Sequence, residues 1–289
     1  MLPPLDADAV RAALAGTTWA DVRVVAETGS TNADVADLAR AGEPEGVVVV
    51  AEHQTAGRGR LDRTWSAPPH ASLLLSLLAR PIQHGLTVDQ LFAVSTAVGV
   101  ASAEAARSLT GADVRLKWPN DLVVDTPEPL GGGWRKCSGI LAESVLAGDR
   151  VDALVVGIGI NVNWPVAADG TPDLPAELGG IAIALNHLAG GPVDRQALLV
   201  SFLRSLDGWY RGLATDEGRT ALRSRYRELS ATLGRRVRVE LDGETVVGDA
   251  VDLTLDGHLL VVDECPDRPR EIIAGDVVHV RPAGGVGAG

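Results

Sequence analysis

The amino-acid sequence predicts an α+β fold: a mixed β-sheet with helices packed on it, followed by a small C-terminal β-barrel. Three observations carry this. Between residues 47 and 160, short apolar runs rich in Val, Ile and Leu alternate with one long segment of helical length. Residues 195–229 hold two further helical segments. From residue 236 the texture changes to short alternating stretches broken by Asp-Gly pairs, the residues that two-residue hairpin turns select.

Residues 8–14 and 31–40 read as short helices, the second opened by Ser30 or Thr31 as N-cap and closed by Gly42. Residues 47–52 form a buried strand between Gly46 and Gly57, with 71–79 as its expected neighbour. Residues 88–109 have helical length and small-residue packing positions. Strands are then expected at 114–118, 122–125, 139–145 and 152–160, and helices at 195–211 and 220–229. The terminal stretches 237–241, 244–253, 258–262 and 271–280 are separated by Asp242-Gly243 and Asp256-Gly257, which gives the small barrel. A unit of that size is marginal alone and is expected to dock on the main domain. The expected division is a main domain over 1–232, the barrel over 233–283 and a flexible tail over 284–289.

The 289 residues can bury a large core, and with 46% apolar and 22% charged residues the composition is that of an ordinary soluble protein. A net charge of −12 argues against binding nucleic acid through phosphate neutralisation, so any polyanion must be met locally. The N-terminus lacks a basic leader, and the longest nearly apolar run, 91–103, is too short to span a bilayer, so no membrane is expected and the cytoplasm is the expected location. Cys137 and Cys265 make no disulfide framework, and neither they nor the six histidines show metal-ligand spacing.

Against this acidic background, residues 53–65 carry Arg58, Arg60 and Arg63 on a loop softened by Gly57 and Gly59. Forked guanidinium donors suit carboxylate or phosphate, although alone the run reads equally as a solvated turn. Gly29-Ser30-Thr31-Asn32 reads either as a polar head-group site or as a plain helix cap. Lys117-Trp118-Pro119-Asn120-Asp121 crowds a cation, an aromatic plane, an amide and a carboxylate between two strands. Lys136 stands at the mouth of an apolar strand; Arg135 before it excludes a P-loop. Gly157-Ile158-Gly159-Ile160-Asn161 lacks the third glycine of a dinucleotide fingerprint, and its glycines are read as letting a flat ligand lie on a strand. Trp65, Trp118, Trp134 and Trp164 fall in or beside these segments, as cavity walls or as core. Five cations with one carboxylate, Asp121, suit a nucleoside triphosphate, a divalent ion and an acid.

These residues resemble one family, the biotin–protein ligases. The matching pieces are Gly-Ser-Thr-Asn at 29–32, Gln-Thr-Ala-Gly-Arg-Gly-Arg at 54–60 with Trp65, Lys-Trp-Pro-Asn-Asp at 117–121, Lys-x-x-Gly-Ile-Leu at 136–141 and Gly-Ile-Gly-Ile-Asn at 157–161. The resemblance implies a class II synthetase-like catalytic domain with an SH3-like barrel. It also implies ATP-dependent formation of biotinyl-5′-AMP and transfer of biotin to a lysine of a biotin carboxyl carrier domain of acyl-CoA carboxylases. Carried over by position, Ser30, Thr31, Asn32, Gln54, Gly57, Arg58, Trp65, Gly157 and Gly159 surround biotin, with Arg60 and Lys136 at its carboxylate and the α-phosphate. Lys136, with Arg60, is the expected catalytic group, acting as an electrostatic stabiliser. Arg58, Arg60, Arg63, Lys117, Asn120, Asp121 and Asn161 face the nucleotide, and Asp121 is the candidate ligand for Mg²⁺.

The sequence departs from the family pattern in three places. Leu61-Asp62 replaces the Arg-Gly often seen in the loop, the stretch 126–134 is long and rich in Gly and Pro, and the residues before 20 leave no room for the DNA-binding domain of some members. A ligase without nucleic-acid binding, as monomer or homodimer, is therefore expected. The rivals are a lipoate–protein ligase of the same fold and a non-catalytic biotin or adenylate sensor. Residues 57–63 and 164–178 are expected to be mobile and to close over the adenylate, because they are rich in Gly, Pro and Asp beside a reactive intermediate.

Overall fold

The computed structural model describes residues 3–279, apart from 62, 128, 129, 131, 242, 264–267 and 274. Helix α1 (Ala7–Ala13) leads into β1 (Asp21–Val25), α2 (Thr31–Arg40), β2 (Val47–Ala51), β3 (Ser72–Ala79) and α3 (Phe92–Thr110). The strands β4 (Arg115–Lys117), β5 (Asp121–Thr126), β6 (Gly133–Ala147) and β7 (Arg150–Asn161) follow. Then come α4 (Leu185–Ala189), α5 (Arg195–Gly212) and α6 (Asp216–Leu229). The seven strands form one sheet in the order β1-β2-β3-β7-β6-β5-β4. Only β1 and β2 pair in parallel; every other neighbouring pair is antiparallel.

The two faces of the sheet differ. Leu73, Leu75 and Leu77 of β3 and Val156, Ile158 and Ile160 of β7 point to the face covered by α3 and α5. Helix α3 is built mainly from Ala, Val, Ser and Gly and is buried along most of its length, so it can approach sheet and neighbouring helices closely. Each fully buried Leu, Ile or Val there contributes about 1.5–3 kcal/mol over its exposed state. The opposite face is covered by α2, through Val35 and Ala39 on Val47, Val49, Leu78 and Val155. Beyond α2 the same face carries Ser76, Gly157 and Gly159, and there the apolar cover stops.

Most elements lie near their expected positions; the single strand expected at 271–280 is instead two, Arg270–Ile272 and Asp276–His279, the helix expected at 220–229 begins at Asp216, and four further differences stand out. Strand β1 is an edge strand whose Val22 is buried while Asp21 is exposed, too short and too mixed to stand out. The helix expected at 88–109 begins at Phe92, after a separate turn of 3₁₀-helix at Val88–Gln90. The five-residue α4 gave no periodic signal. Strand β6 begins at Gly133, six residues before its expected start, so Lys136 lies inside the strand and not at its mouth. Its Gly, Arg, Lys and Ser hide it, because half of the strand faces a polar site. Within the stretch 126–134, Thr126 and Gly133 form a ladder pair of β5 and β6, tied by Thr126 Oγ1 donating to the Gly133 carbonyl at 2.9 Å.

The C-terminal strands β8 (Arg236–Leu241), β9 (Glu244–Leu253), β10 (Leu259–Val262), β11 (Arg270–Ile272) and β12 (Asp276–His279) form an antiparallel sheet in the order β11-β10-β9-β8-β12. The tail 284–289 lies outside the described residues. This sheet docks where Trp118 Nε1 donates to the Gly257 carbonyl at 3.0 Å. Gly257 is required there: its φ is +92°, and a Cβ would lie 2.5 Å from Thr96 Oγ1 of α3. Among the described residues no helix is long and apolar enough to cross a membrane.

Candidate active site

Antiparallel partners share a face of a sheet, and this rule assembles the site. Gly139 pairs with Gly159, Leu141 with Gly157, and Asp121 with Gly139, so all five look toward the uncovered face. Simple alternation would send Lys136, three residues from Gly139, to the other side. A β-bulge prevents this. Val123 pairs with Lys136 and Leu122 with Ser138, leaving Cys137 without a partner in the ladder. Cys137 and Ser138 are both fully buried, and Lys136 is returned to the site face. Its Nζ lies 2.6 Å from Asp121 Oδ1 and 5.4 Å from the centroid of the Trp65 ring. Burial pushes the Cys137 thiol up to about 12. Behind Asp121, burial first and that carboxylate's charge second hold the Tyr226 phenol above its usual range.

Above this floor stand the start of α2 and the loop after β2. The Thr31 amide donates to Gln54 Oε1 at 2.7 Å, which ties the two together. Asn32 lies on the β7 backbone so closely that a Cβ at Gly157 would come within 2.0 Å of its Oδ1. The arginine loop folds over the opposite side, its start and end joined by the Trp65 amide donating to the Gly57 carbonyl at 2.9 Å. Arg58 Nη2 donates to Glu143 Oε2 at 3.0 Å. Arg60 donates to Asn120 Oδ1 at 3.1 Å and to the Gly275 carbonyl at 3.3 Å, the latter from the C-terminal sheet.

An inner cavity of about 50 Å³ opens into a groove of about 850 Å³, and Arg58, Arg60 and Asn120 line both. Ser30, Thr31, Asn32, Gln54, Trp65, Lys136, Gly157 and Gly159 line the inner part, while Gly57 and Arg63 line the groove. The indole of Trp65, expected as a wall, lies on the floor: a Cβ at Gly159 would come within 2.5 Å of it. The flat ring that these glycines admit is thus the chain's own. Two expected residues are placed elsewhere. Lys117 sits on β4 in register with Asp121 and lines neither space. Asn161 is buried and donates to the Ile183 carbonyl at 3.3 Å, because residues 182–184 lie over it.

Asp121 is engaged by Lys136, and among the described residues no three His, Cys, Asp or Glu side chains converge to hold a metal. Glu143 and Ser76 had no place in the sequence analysis. Ser76 sits in an apolar strand, and Glu143 lies just past the motif at 136–141, where only the β6 register shows that it faces the site.

Residues 25–161 match the Biotin/lipoate A/B protein ligase family, and residues 232–280 match the Biotin protein ligase C terminal domain. A biotin–[acetyl-CoA-carboxylase] ligase of Mycobacterium tuberculosis is 37% identical over 286 residues, 96% of this chain and 97% of that relative. The bifunctional ligase/repressor BirA of Bacillus subtilis is 31% identical over 251 residues, 86% of this chain and 70% of that protein. Among solved structures, the biotin protein ligase of Aquifex aeolicus in complex with biotin and ATP superposes with a TM-score of 0.72 at 27% identity, covering 91% of this chain and 99% of that one. With the relative from Mycobacterium matched along nearly its whole length, the chain belongs to the biotin–protein ligase family.

Proposed function

We propose that this chain activates biotin with ATP and transfers it to a lysine of a biotin carboxyl carrier domain. The observation that carries the proposal is the convergence of Arg58, Arg60 and Lys136 on one cavity in a molecule of net charge −12. A biotin carboxylate oxygen attacks the α-phosphorus of ATP. The bond to the β-phosphate breaks, pyrophosphate leaves, and biotinyl-5′-AMP remains. The neutral lysine amine then attacks the acyl carbon, AMP departs with the electron pair of the broken C–O bond, and the amine releases its proton. The first step brings two anions together and spreads further charge onto the phosphoryl oxygens, so fixed cations lower its barrier. Lys136 supplies that charge from the floor, and Arg58 and Arg60 supply it from the loop.

The Trp65 indole lies directly against Gly159, so biotin's rings take the glycine floor only as that indole leaves it. Trp65 and loop 57–63 then cover the ligand. The carrier lysine approaches along the groove between that loop and the C-terminal sheet. Mg²⁺ enters as the counter-ion of the triphosphate, which supplies most of its ligands. The test is to mix the chain with ATP, Mg²⁺, biotin, excess lipoate and a carrier domain, and to weigh the carrier. A carrier heavier by one biotinyl group supports the proposal; an unmodified or lipoylated carrier overturns it.

A further inference from the structure

Among the described residues, Glu143 is the one acidic side chain that lines the cavity and groove, and the charge argument alone gives it no reason to be there. Its Oε2 accepts from Arg58 Nη2 at 3.0 Å and from Asn32 Nδ2 at 2.6 Å. From Asn32 the bonds continue around the cavity. Asn32 Oδ1 accepts from Ser76 Oγ at 2.6 Å, and Ser76 Oγ lies 2.7 Å from Thr31 Oγ1.

A carboxylate only accepts, and this sets the direction of the whole chain. Asn32 must turn its NH₂ to Glu143 and therefore its carbonyl to Ser76. Ser76 spends its proton on that carbonyl and must accept from Thr31. The Thr31 hydroxyl proton is thus committed to protein oxygens, Ser76 Oγ and Gln54 Oε1 at 3.1 Å. Gln54 Oε1 is also taken by the Thr31 amide, so Gln54 keeps its NH₂ for a ligand. Thr31 Oγ1 remains as an acceptor and Gln54 Nε2 as a donor, the complement of a cyclic urea with its ring N–H and carbonyl. The same carboxylate holds Arg58, and with it the arginine loop, against β6.

We infer that Glu143 is a positioning residue for the activation of biotin: through Asn32, Ser76 and Thr31 it fixes the polarity of the subsite that reads the ring urea, and through Arg58 it anchors the loop. This rests on the function proposed above. In the isosteric Glu143→Gln variant the amide can donate as well as accept, so the direction is no longer dictated, and the Arg58 charge loses its partner.

The test measures steady-state adenylation and direct biotin binding for the native chain, Glu143→Gln and Glu143→Asp. Glu143→Gln is expected to raise the biotin KM by at least about tenfold, the scale of one lost charge-assisted hydrogen bond. The ATP KM should rise by less than the biotin KM, and the melting temperature should stay near native. The preference for biotin over iminobiotin, whose ring carbonyl is replaced by an imine, should narrow. Glu143→Asp, which keeps the charge, should recover part of the affinity. An unchanged or lowered biotin KM with unaltered preference overturns the inference, as does a variant that melts early and loses both substrates alike. Failure of the native chain to bind biotin overturns instead the function on which the inference rests.

Discussion

Replacing Lys136 with Ala removes the cation that stands on the floor of the site. Its side chain is 29% exposed and that of Asp121 is 22% exposed, so charges here act in an effective dielectric nearer 20 than 4. At that value a unit charge about 4 Å away contributes about 4 kcal/mol, and the roughly half charge that develops on the phosphoryl oxygens gains about 2 kcal/mol, or about thirtyfold in rate. The variant also strips Asp121, 2.6 Å from the ammonium, of its counter-charge beside an incoming triphosphate, which raises the barrier further. The expected total is about 2–4 kcal/mol, about thirtyfold to a thousandfold in kcat, in the range found for single donors to a developing oxyanion. Biotin affinity should change by less than about fivefold, because the ring contacts are untouched and Arg60 still meets the carboxylate, whereas the charge that develops during attack loses its stabiliser. Single-turnover pyrophosphate release gives the first quantity and calorimetric biotin binding without ATP the second. Lys136→Ala combined with Asp121→Asn should regain part of the rate by removing the stranded carboxylate. Equal losses of affinity and rate, or a double variant slower than the single one, would refute the electrostatic role.

Gly157→Ala places a Cβ 2.0 Å from Asn32 Oδ1, an atom held by Ser76, and should lower stability by about 1–3 kcal/mol in urea titrations while abolishing measurable biotin binding. Trp65→Phe should remove most of the change in tryptophan fluorescence on adding biotin, since Trp65 must leave the floor at Gly159; a full-sized signal in the variant would place the reporter elsewhere. Arg195 and Glu52 side chains are each 4% exposed and 2.7 Å apart, so Arg195→Met should cost about 3 kcal/mol by removing the buried guanidinium that balances this carboxylate. Burial pushes the Glu52 carboxyl up, but bonds from Arg195, the Leu5 amide and His70 win, and its affinity for protons falls below the usual range. The stability it contributes is present above the usual carboxylate value and is lost as pH falls through its depressed one; acid titration of Glu52→Gln should lack that part of the loss. Cys137 has the opposite sign: raised from 9.0 to about 12, its thiol stays protonated in the fold while the unfolded chain ionises. Stability should therefore decline above about pH 9, by up to 1.4 kcal/mol per unit, and Cys137→Ser should flatten that limb.

Much of the scaffold was legible because burial leaves a periodic mark. The Val run of β2, the Leu run of β3 and the long small-residue α3 follow from apolar pattern and flanking glycines. The Asp-Gly pairs likewise announced the terminal antiparallel sheet. Motif residues such as Thr31, Gln54, Arg58 and Lys136 were identifiable one by one, since their chemistry does not depend on where neighbours lie. What joins them is non-local. A bulge at Cys137, set by the pairing of β5 with β6, decides that Lys136 shares a face with Gly139. Register alone brings Glu143 to Asn32 across 111 positions, and the cover of residues 182–184 turns Asn161 inward. By itself the sequence determined which residues can bear charge and which segments must be buried, because those properties belong to side chains and to short periods. The tertiary structure alone decided which face each one meets, because a single extra residue in a strand inverts every side chain beyond it.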